Sequence, residues 1–113
     1  MSTRSIVGYK ENGTYNIVYV HSDGYFDGVG KTLLDHYDSL EDAKSIVSLG
    51  DISVLTYDEI IAYHRDRNED WEDVKPDVID EEEMNIYEYA TNRGAEYIYI
   101  YDAETDRWNS TEV

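Results

Sequence analysis

The chain opens on two apolar runs of β character. Residues 5–10 (Ser-Ile-Val-Gly-Tyr-Lys) and 15–21 (Tyr-Asn-Ile-Val-Tyr-Val-His) are rich in β-branched and aromatic side chains, which suit a pleated surface. Asn12-Gly13 lies between them, and both residues tolerate the positive φ of a two-residue hairpin turn. A β-hairpin is expected. Residues 22–30 (Ser-Asp-Gly-Tyr-Phe-Asp-Gly-Val-Gly) hold three glycines and read as a loop. A short helix is expected at 31–37, and a second after Asp38-Ser39. Asp38 with Glu41, or Ser39 with Asp42, has the spacing of a capping box. Leu40, Ala43, Ile46, Val47 and Leu49 then recur at helical spacing, and Gly50 stands where that helix should stop.

Residues 52–64 are ambiguous between helix and buried strand, and their β-branched and aromatic content favours strand. Residues 65–80 are polar and include Pro76, the only proline; an ordered or half-ordered acidic loop is expected there. Residues 81–92 read as a helix with three acids in its first turn, where the helix dipole favours them, ended by Arg93-Gly94. Residues 96–101 alternate strictly, placing Tyr97, Tyr99 and Tyr101 on one face and Ile98 and Ile100 on the other. Residues 102–106 turn the chain and 107–111 return as an edge strand. The order β-β-α-α-β-α-β-β predicts one α+β domain spanning 1–113. Its architecture is expected to be an antiparallel sheet of about four to five strands with two to three helices packed on one face. Ile98 and Ile100 are expected to face the helices; the tyrosine face is then either a second packed face with buried rings and exposed hydroxyls or a partly open surface for recognition, a use for which Tyr is favoured.

Charge changes this picture. Twenty-six acids against nine bases give a net charge of −17. Residues 1–50 hold seven acids and four bases, net −3; residues 51–113 hold nineteen and five, net −14. Such a surface repels nucleic acid and anionic membranes and steers basic partners toward it. The densest stretch is 66–83, with ten acids (Asp66, Glu69, Asp70, Glu72, Asp73, Asp77, Asp80, Glu81, Glu82 and Glu83) and two bases. It reads either as a solvated loop that keeps the chain soluble or as a negative surface imitating duplex phosphates. The absence of cysteine excludes a disulfide framework, thiolate zinc sites and cysteine nucleophiles. No run approaches the ~18 apolar residues of a membrane span, and no signal peptide is readable. A cytoplasmic protein is expected.

Motifs for chemistry are weak. Gly28-Val29-Gly30-Lys31-Thr32 ends like a phosphate-binding loop, but the required first glycine falls at Tyr25. Asp66, Asn68 and Asp70 begin like a calcium loop, but Trp71 and Asp77 stand where it needs glycine and glutamate. His21, His36 and His64 share no zinc-helix spacing. No catalytic residue, metal or cofactor is therefore assigned.

The strings Met1-Ser2-Thr3-Arg4, His21-Ser22-Asp23-Gly24-Tyr25, Asp27-Gly28-Val29-Gly30, Leu33-Leu34-Asp35-His36-Tyr37 and His64-Arg65-Asp66-Arg67-Asn68-Glu69-Asp70-Trp71 resemble a family of small proteins from phages and mobile elements. The closing 95–102 segment (Ala-Glu-Tyr-Ile-Tyr-Ile-Tyr-Asp) is similar to that family as well. The family has no settled activity, so the resemblance implies a phage context and no residue roles. The expectation is a non-enzymatic accessory protein that binds and inhibits a basic, nucleic-acid-handling host defence protein, of the anti-CRISPR or anti-restriction kind. Its partner-binding residues would be the ten acids of 66–83 with Tyr97, Tyr99 and Tyr101. Arg65 and Arg67, which a pure phosphate mimic does not need, are expected in internal ion pairs. The alternatives are a small-ligand or metal-binding module built on residues 21–30, and a phage structural component without inhibitory activity.

Overall fold

A computed structural model describes residues 3–113; Met1 and Ser2, which open the family resemblance, lie outside them. β1 (Ser5–Glu11) and β2 (Thr14–Val20) form the expected hairpin, paired from Ser5↔Val20 to Glu11↔Thr14. Asn12 and Gly13 turn it with φ of 53° and 76°, the left-handed pair that matches strand twist. The glycine-rich loop ends in a π-helical turn, Phe26–Gly30, continuous with α1 (Lys31–His36). α2 (Leu40–Val47) starts at Ser39, whose Oγ accepts the Asp42 N–H at 3.1 Å. It buries Ala43, Ile46 and Val47, and Gly50 follows at φ 79°.

The middle of the chain departs from expectation. Residues 52–64 form two short strands, β3 (Ile52–Leu55) and β4 (Ile60–Ala62), and then enter α3 (Tyr63–Arg67). The hydroxyl of Thr56 donates to Asp58 at 3.0 Å, and its N–H reaches Glu59 O at 2.9 Å, closing a turn inside the apolar run. The expected acidic loop carries regular elements instead. Asp70 Oδ1 accepts the Glu72 N–H at 3.2 Å and heads α4 (Trp71–Val74); Pro76 then gives way to β5 (Asp77–Asp80). The expected 81–92 helix is shortened to α5 (Ile86–Asn92), because Asn85 Oδ1 caps it at the N–H groups of Tyr87 and Glu88 (2.8 and 3.3 Å). β6 (Tyr97–Asp102) and β7 (Arg107–Glu112) close the chain as a hairpin.

The expected antiparallel sheet of four to five strands is replaced by one mixed seven-stranded sheet. Its order is β4-β3-β2-β1-β6-β7, with β5 pairing β2 beside β3. β1 pairs β6 in parallel, from Ser5↔Tyr97 to Lys10↔Asp102, and β2 meets β3 in parallel at Val20↔Ile52. Alternation fixes which side chains share a face but not which strands are neighbours or their direction, so the pattern could not separate these topologies. Helices also cover both faces. The π-helical turn, α1 and α2 pack on Val7, Val18, Val20, Tyr99, Tyr101 and Trp108, while α5 packs through Ala90 on Ile6, Ile17, Ile98 and Ile100.

The tyrosine face is consequently core. Tyr99 and Tyr101 are each 1% exposed, and only Tyr97 is half-buried. The Tyr99 hydroxyl donates to Gly24 O at 2.6 Å, which ties β6 to the glycine loop. Among the described residues, no helix is long and apolar enough to cross a membrane.

Candidate partner-binding surface

The ten acids of 66–83 occupy α3, α4, β5 and the turns that join them, and all but Asp77 are exposed. They divide by what they hold. Four are ion-paired: Asp66 with Arg65 (2.9 Å), Glu72 with Lys75 (2.8 Å), Asp77 with Arg93 (3.0 Å) and Glu81 with Lys10 (3.2 Å). Asp70 caps α4, and Asp80 accepts the Glu82 N–H at 2.9 Å. Glu69, Asp73, Glu82 and Glu83 carry no ion pair among the described residues. The Arg65 hydrogen bond, aided by the Ala62 N–H, holds the Asp66 carboxyl below the usual carboxylate range. Arg65 is in the expected internal pair, whereas Arg67 lies over the Tyr63 ring at 5.5 Å.

Sequence reasoning missed a second cluster. Arg93, one turn past the middle of α5, donates to Asp51 at 3.1 Å and to Asp77 at 3.0 Å. Its guanidinium also lies 5.5 Å from the Tyr19 ring centre and 5.9 Å from that of Tyr89. Tyr89 donates its hydroxyl to the same Asp77 oxygen. Asp51 is buried, and its other oxygen accepts the Tyr19 N–H at 2.9 Å. Burial raises the Asp51 carboxyl above the ordinary range against the pull of the Tyr19 N–H and Arg93. Burial, then the bond to Asp77, raises the Tyr89 phenol. The cluster ties β2, the approach to β3, β5 and α5 together. Its only sequence signal is an isolated cation at a helix end in an acidic half.

Beside α5 the sheet is left partly uncovered. A cleft of about 130 Å³ has Ile98 and Ile100 on its floor and Tyr15, Ile86 and Tyr87 as walls. Lys10 lies toward one end, where it pairs Glu81; Asn109 and Thr111 of β7 form the other side. Tyr87 is 49% exposed at its lip. The cleft thus runs from the acidic 80–83 turn to β7. The alternation placed Ile98 and Ile100 on the helix side of their strand, but nothing in the sequence marked a cleft there.

The other candidate chemistry is spent on structure. The N–H groups of Gly28, Val29 and Gly30 donate to Tyr25 O, Asp23 O and Tyr25 O at 3.0, 2.9 and 3.4 Å. The Lys31 N–H is likewise donated internally, and its ammonium pairs Asp35 at 3.0 Å. No row of free N–H groups faces out to hold a phosphate. Asp66, Asn68 and Asp70 serve separately, Asn68 as the left-handed end of α3. His21 Nδ1 lies 2.7 Å from the Tyr19 hydroxyl, His64 Nδ1 lies 2.8 Å from Glu69 O, and His36 stacks on Tyr57. Among the described residues no three His, Cys, Asp or Glu side chains are grouped to hold a metal. Compared with known proteins, the chain matches no family model, no curated protein and no solved structure.

Proposed function

We propose that this protein is a non-catalytic binding module that docks on a basic, nucleic-acid-handling protein and blocks it by occlusion. The carrying observation is that the 66–83 carboxylates, all but Asp77 exposed, sit on short folded elements and on the turns that join them. Carboxylates fixed in this way lose less freedom on binding than those of a floppy loop, and they meet a Lys/Arg groove as an ordered array. Glu69, Asp73, Glu82 and Glu83, free of internal ion pairs, are the primary contacts. The two buried tyrosines of the original site, Tyr99 and Tyr101, support the fold, and Tyr87 takes their place as the aromatic contact. The phage context of the resemblance makes a host defence protein in the cytoplasm, of the anti-CRISPR or anti-restriction class, the partner to seek.

The test is affinity capture from host lysate with the full chain, repeated with Glu69→Gln, Asp73→Asn, Glu82→Gln and Glu83→Gln combined. Screening shortens from ~10 Å at 0.1 M salt to ~3 Å at 1 M. The true partner should be held at the lower salt, released at the higher, displaced by duplex DNA and lost to the variant. A partner held equally at both salt levels and by the variant overturns the reading.

A further inference from the structure

The ends of the sheet are finished differently. At β4 the outer backbone groups are taken by the chain's own side chains: Arg65 donates to Ile60 O at 2.6 Å, and Asp66 accepts the Ala62 N–H at 2.8 Å. β5 is four residues long with an aspartate at each end. Short strands and charges are common guards against unwanted pairing. β7 carries a charge only at its two ends, Arg107 and Glu112, and leaves Trp108 to Thr111 between them uncharged. It is six residues long, pairs β6 from Tyr97↔Glu112 to Asp102↔Arg107 without a bulge, and contains neither proline nor lysine.

Its outward groups can be named. The Val113 N–H donates to Glu96 O at 2.9 Å. By the two-residue period of an antiparallel ladder, Arg107, Asn109 and Thr111 turn their backbone groups to β6. Trp108, Ser110 and Glu112 turn theirs outward, where no strand pairs them among the described residues. Asn109 and Thr111 meanwhile line the apolar cleft. A bare edge and an apolar cleft are therefore side by side.

We propose that β7 receives an extended, basic peptide segment of the partner as an added strand, with an apolar side chain of that segment seated over Ile98 and Ile100. Strand addition of this kind takes affinity from main-chain hydrogen bonds and specificity from pockets for alternate side chains. The cleft, at about 130 Å³, is close to the ~150 Å³ cavity that accepts a benzene ring. One aromatic or branched aliphatic side chain fills it. Charge selects the rest of the segment. Asp102, Glu104, Asp106 and Glu112 flank the edge against Arg107 alone, and Glu81 lies at the far end of the cleft. Lysines or arginines at the other positions complement these carboxylates. A second copy of this chain, at −17, is repelled instead. This inference rests on the basic partner proposed above and names how that partner is gripped.

The probe is a nine-residue peptide of alternating lysine and valine with a central phenylalanine, titrated into the full chain and followed by calorimetry. A control peptide is N-methylated at alternate residues, which removes the pairing N–H groups. Ser110→Pro removes an outward N–H without touching the β6–β7 ladder, a position where edge strands tolerate proline. The expected result is binding that falls at least tenfold for the N-methylated peptide and for Ser110→Pro, with thermal stability kept. If Ser110→Pro does not fold, the N-methylated peptide alone decides. No binding of the parent peptide, or binding indifferent to N-methylation, overturns the proposal. So does a free chain that is a dimer split by Ser110→Pro, since a second copy then owns the edge. Peptide binding weakened by the four-carboxylate variant but not by N-methylation sinks strand addition and leaves the acidic surface standing. The converse pattern supports strand addition, and the lysate capture with the four-carboxylate variant then decides the acidic surface separately.

Discussion

The two faces of the sheet are built to different standards of closure. One is sealed by the π-helical turn, α1 and α2, and its Tyr99 and Tyr101 rings are almost wholly buried. The other is covered by α5, a helix of seven residues, about 10 Å long at 1.5 Å per residue. Adjacent strands lie about 4.8 Å apart, so such a helix spans only a few of them. The uncovered remainder is the cleft against β6 and β7. The closed face buries Gly24, Val29 and Gly30 of the most distinctive string in the sequence, residues 23–30, while Tyr25 and Phe26 at its middle stay exposed. The open face holds the cleft, floored by Ile98 and Ile100, that carries the proposed partner contact. The glycines of that string therefore mark close backbone packing.

The largest expected effect lies on the closed face. A Cβ at Gly28 would stand 2.2 Å from Asp23 O, a backbone atom with little room to retreat because it accepts the Val29 N–H. Gly28→Ala should cost more than about 3 kcal/mol, a large share of the roughly 5–15 kcal/mol that holds a domain together. Denaturant unfolding measures it. A loss below about 1 kcal/mol would show that the loop can move aside, and the claim that the motif serves packing would fail.

On the open face the critical residue is Arg93. Arg93→Met keeps much of the side-chain bulk but leaves Asp51 buried without its cation. Breaking such a pair costs about 3 kcal/mol, somewhat less than the glycine change. Its pH dependence has a definite sign. Burial already raises the Asp51 carboxyl against the Tyr19 N–H and Arg93, so removing Arg93 raises it further. A carboxyl that holds its proton more tightly when folded contributes stability below its unfolded value and loses it as pH rises through the raised value. The deficit of Arg93→Met against the parent should therefore shrink as pH falls from 7 toward the ordinary carboxylate range. Unfolding curves at several pH values test this, and a deficit that is flat or grows in acid would remove Asp51 from the account.

Local features were legible where one residue decides them. Asn12-Gly13 predicted the hairpin turn, Ser39 with Asp42 the cap of α2, and the 97–101 alternation the two faces of β6. Neighbour choice was not legible. Ile6 could pair in either direction with any strand of similar pattern, and its parallel match to Ile98 depends on the helices and strands threaded between them. The fate of Tyr99 followed from the same gap: its face was readable, but the helices that cover that face were not. The acids of 66–80 were read as a loop but sit on α3, α4 and β5 or at their ends, and Glu81, Glu82 and Glu83 were read as a helical turn but form the turn after β5. Asp70, Asp80 and Asn85 act there as caps and turn formers, a role that local spacing only hints at. The cleft was invisible because it is defined by where α5 stops.

The smallest expected effect separates the open face's surface from its core. Glu69, Asp73, Glu82 and Glu83 are exposed and, among the described residues, hold no cation. If their only work is outside the molecule, their combined replacement by Gln and Asn leaves the fold intact. Taking the net charge from −17 to a smaller value also relieves self-repulsion, so stability should rise slightly at low salt. The midpoint of thermal unfolding should shift upward by no more than about 2 °C, and the shift should vanish at 1 M salt, where charges farther apart than about 3 Å are screened. A fall of several degrees would mean that these carboxylates brace α4 and the 80–83 turn. They would then belong with Asp51 and Asp77 rather than with the cleft, and the division of the acids into structural and presented sets would have to be redrawn.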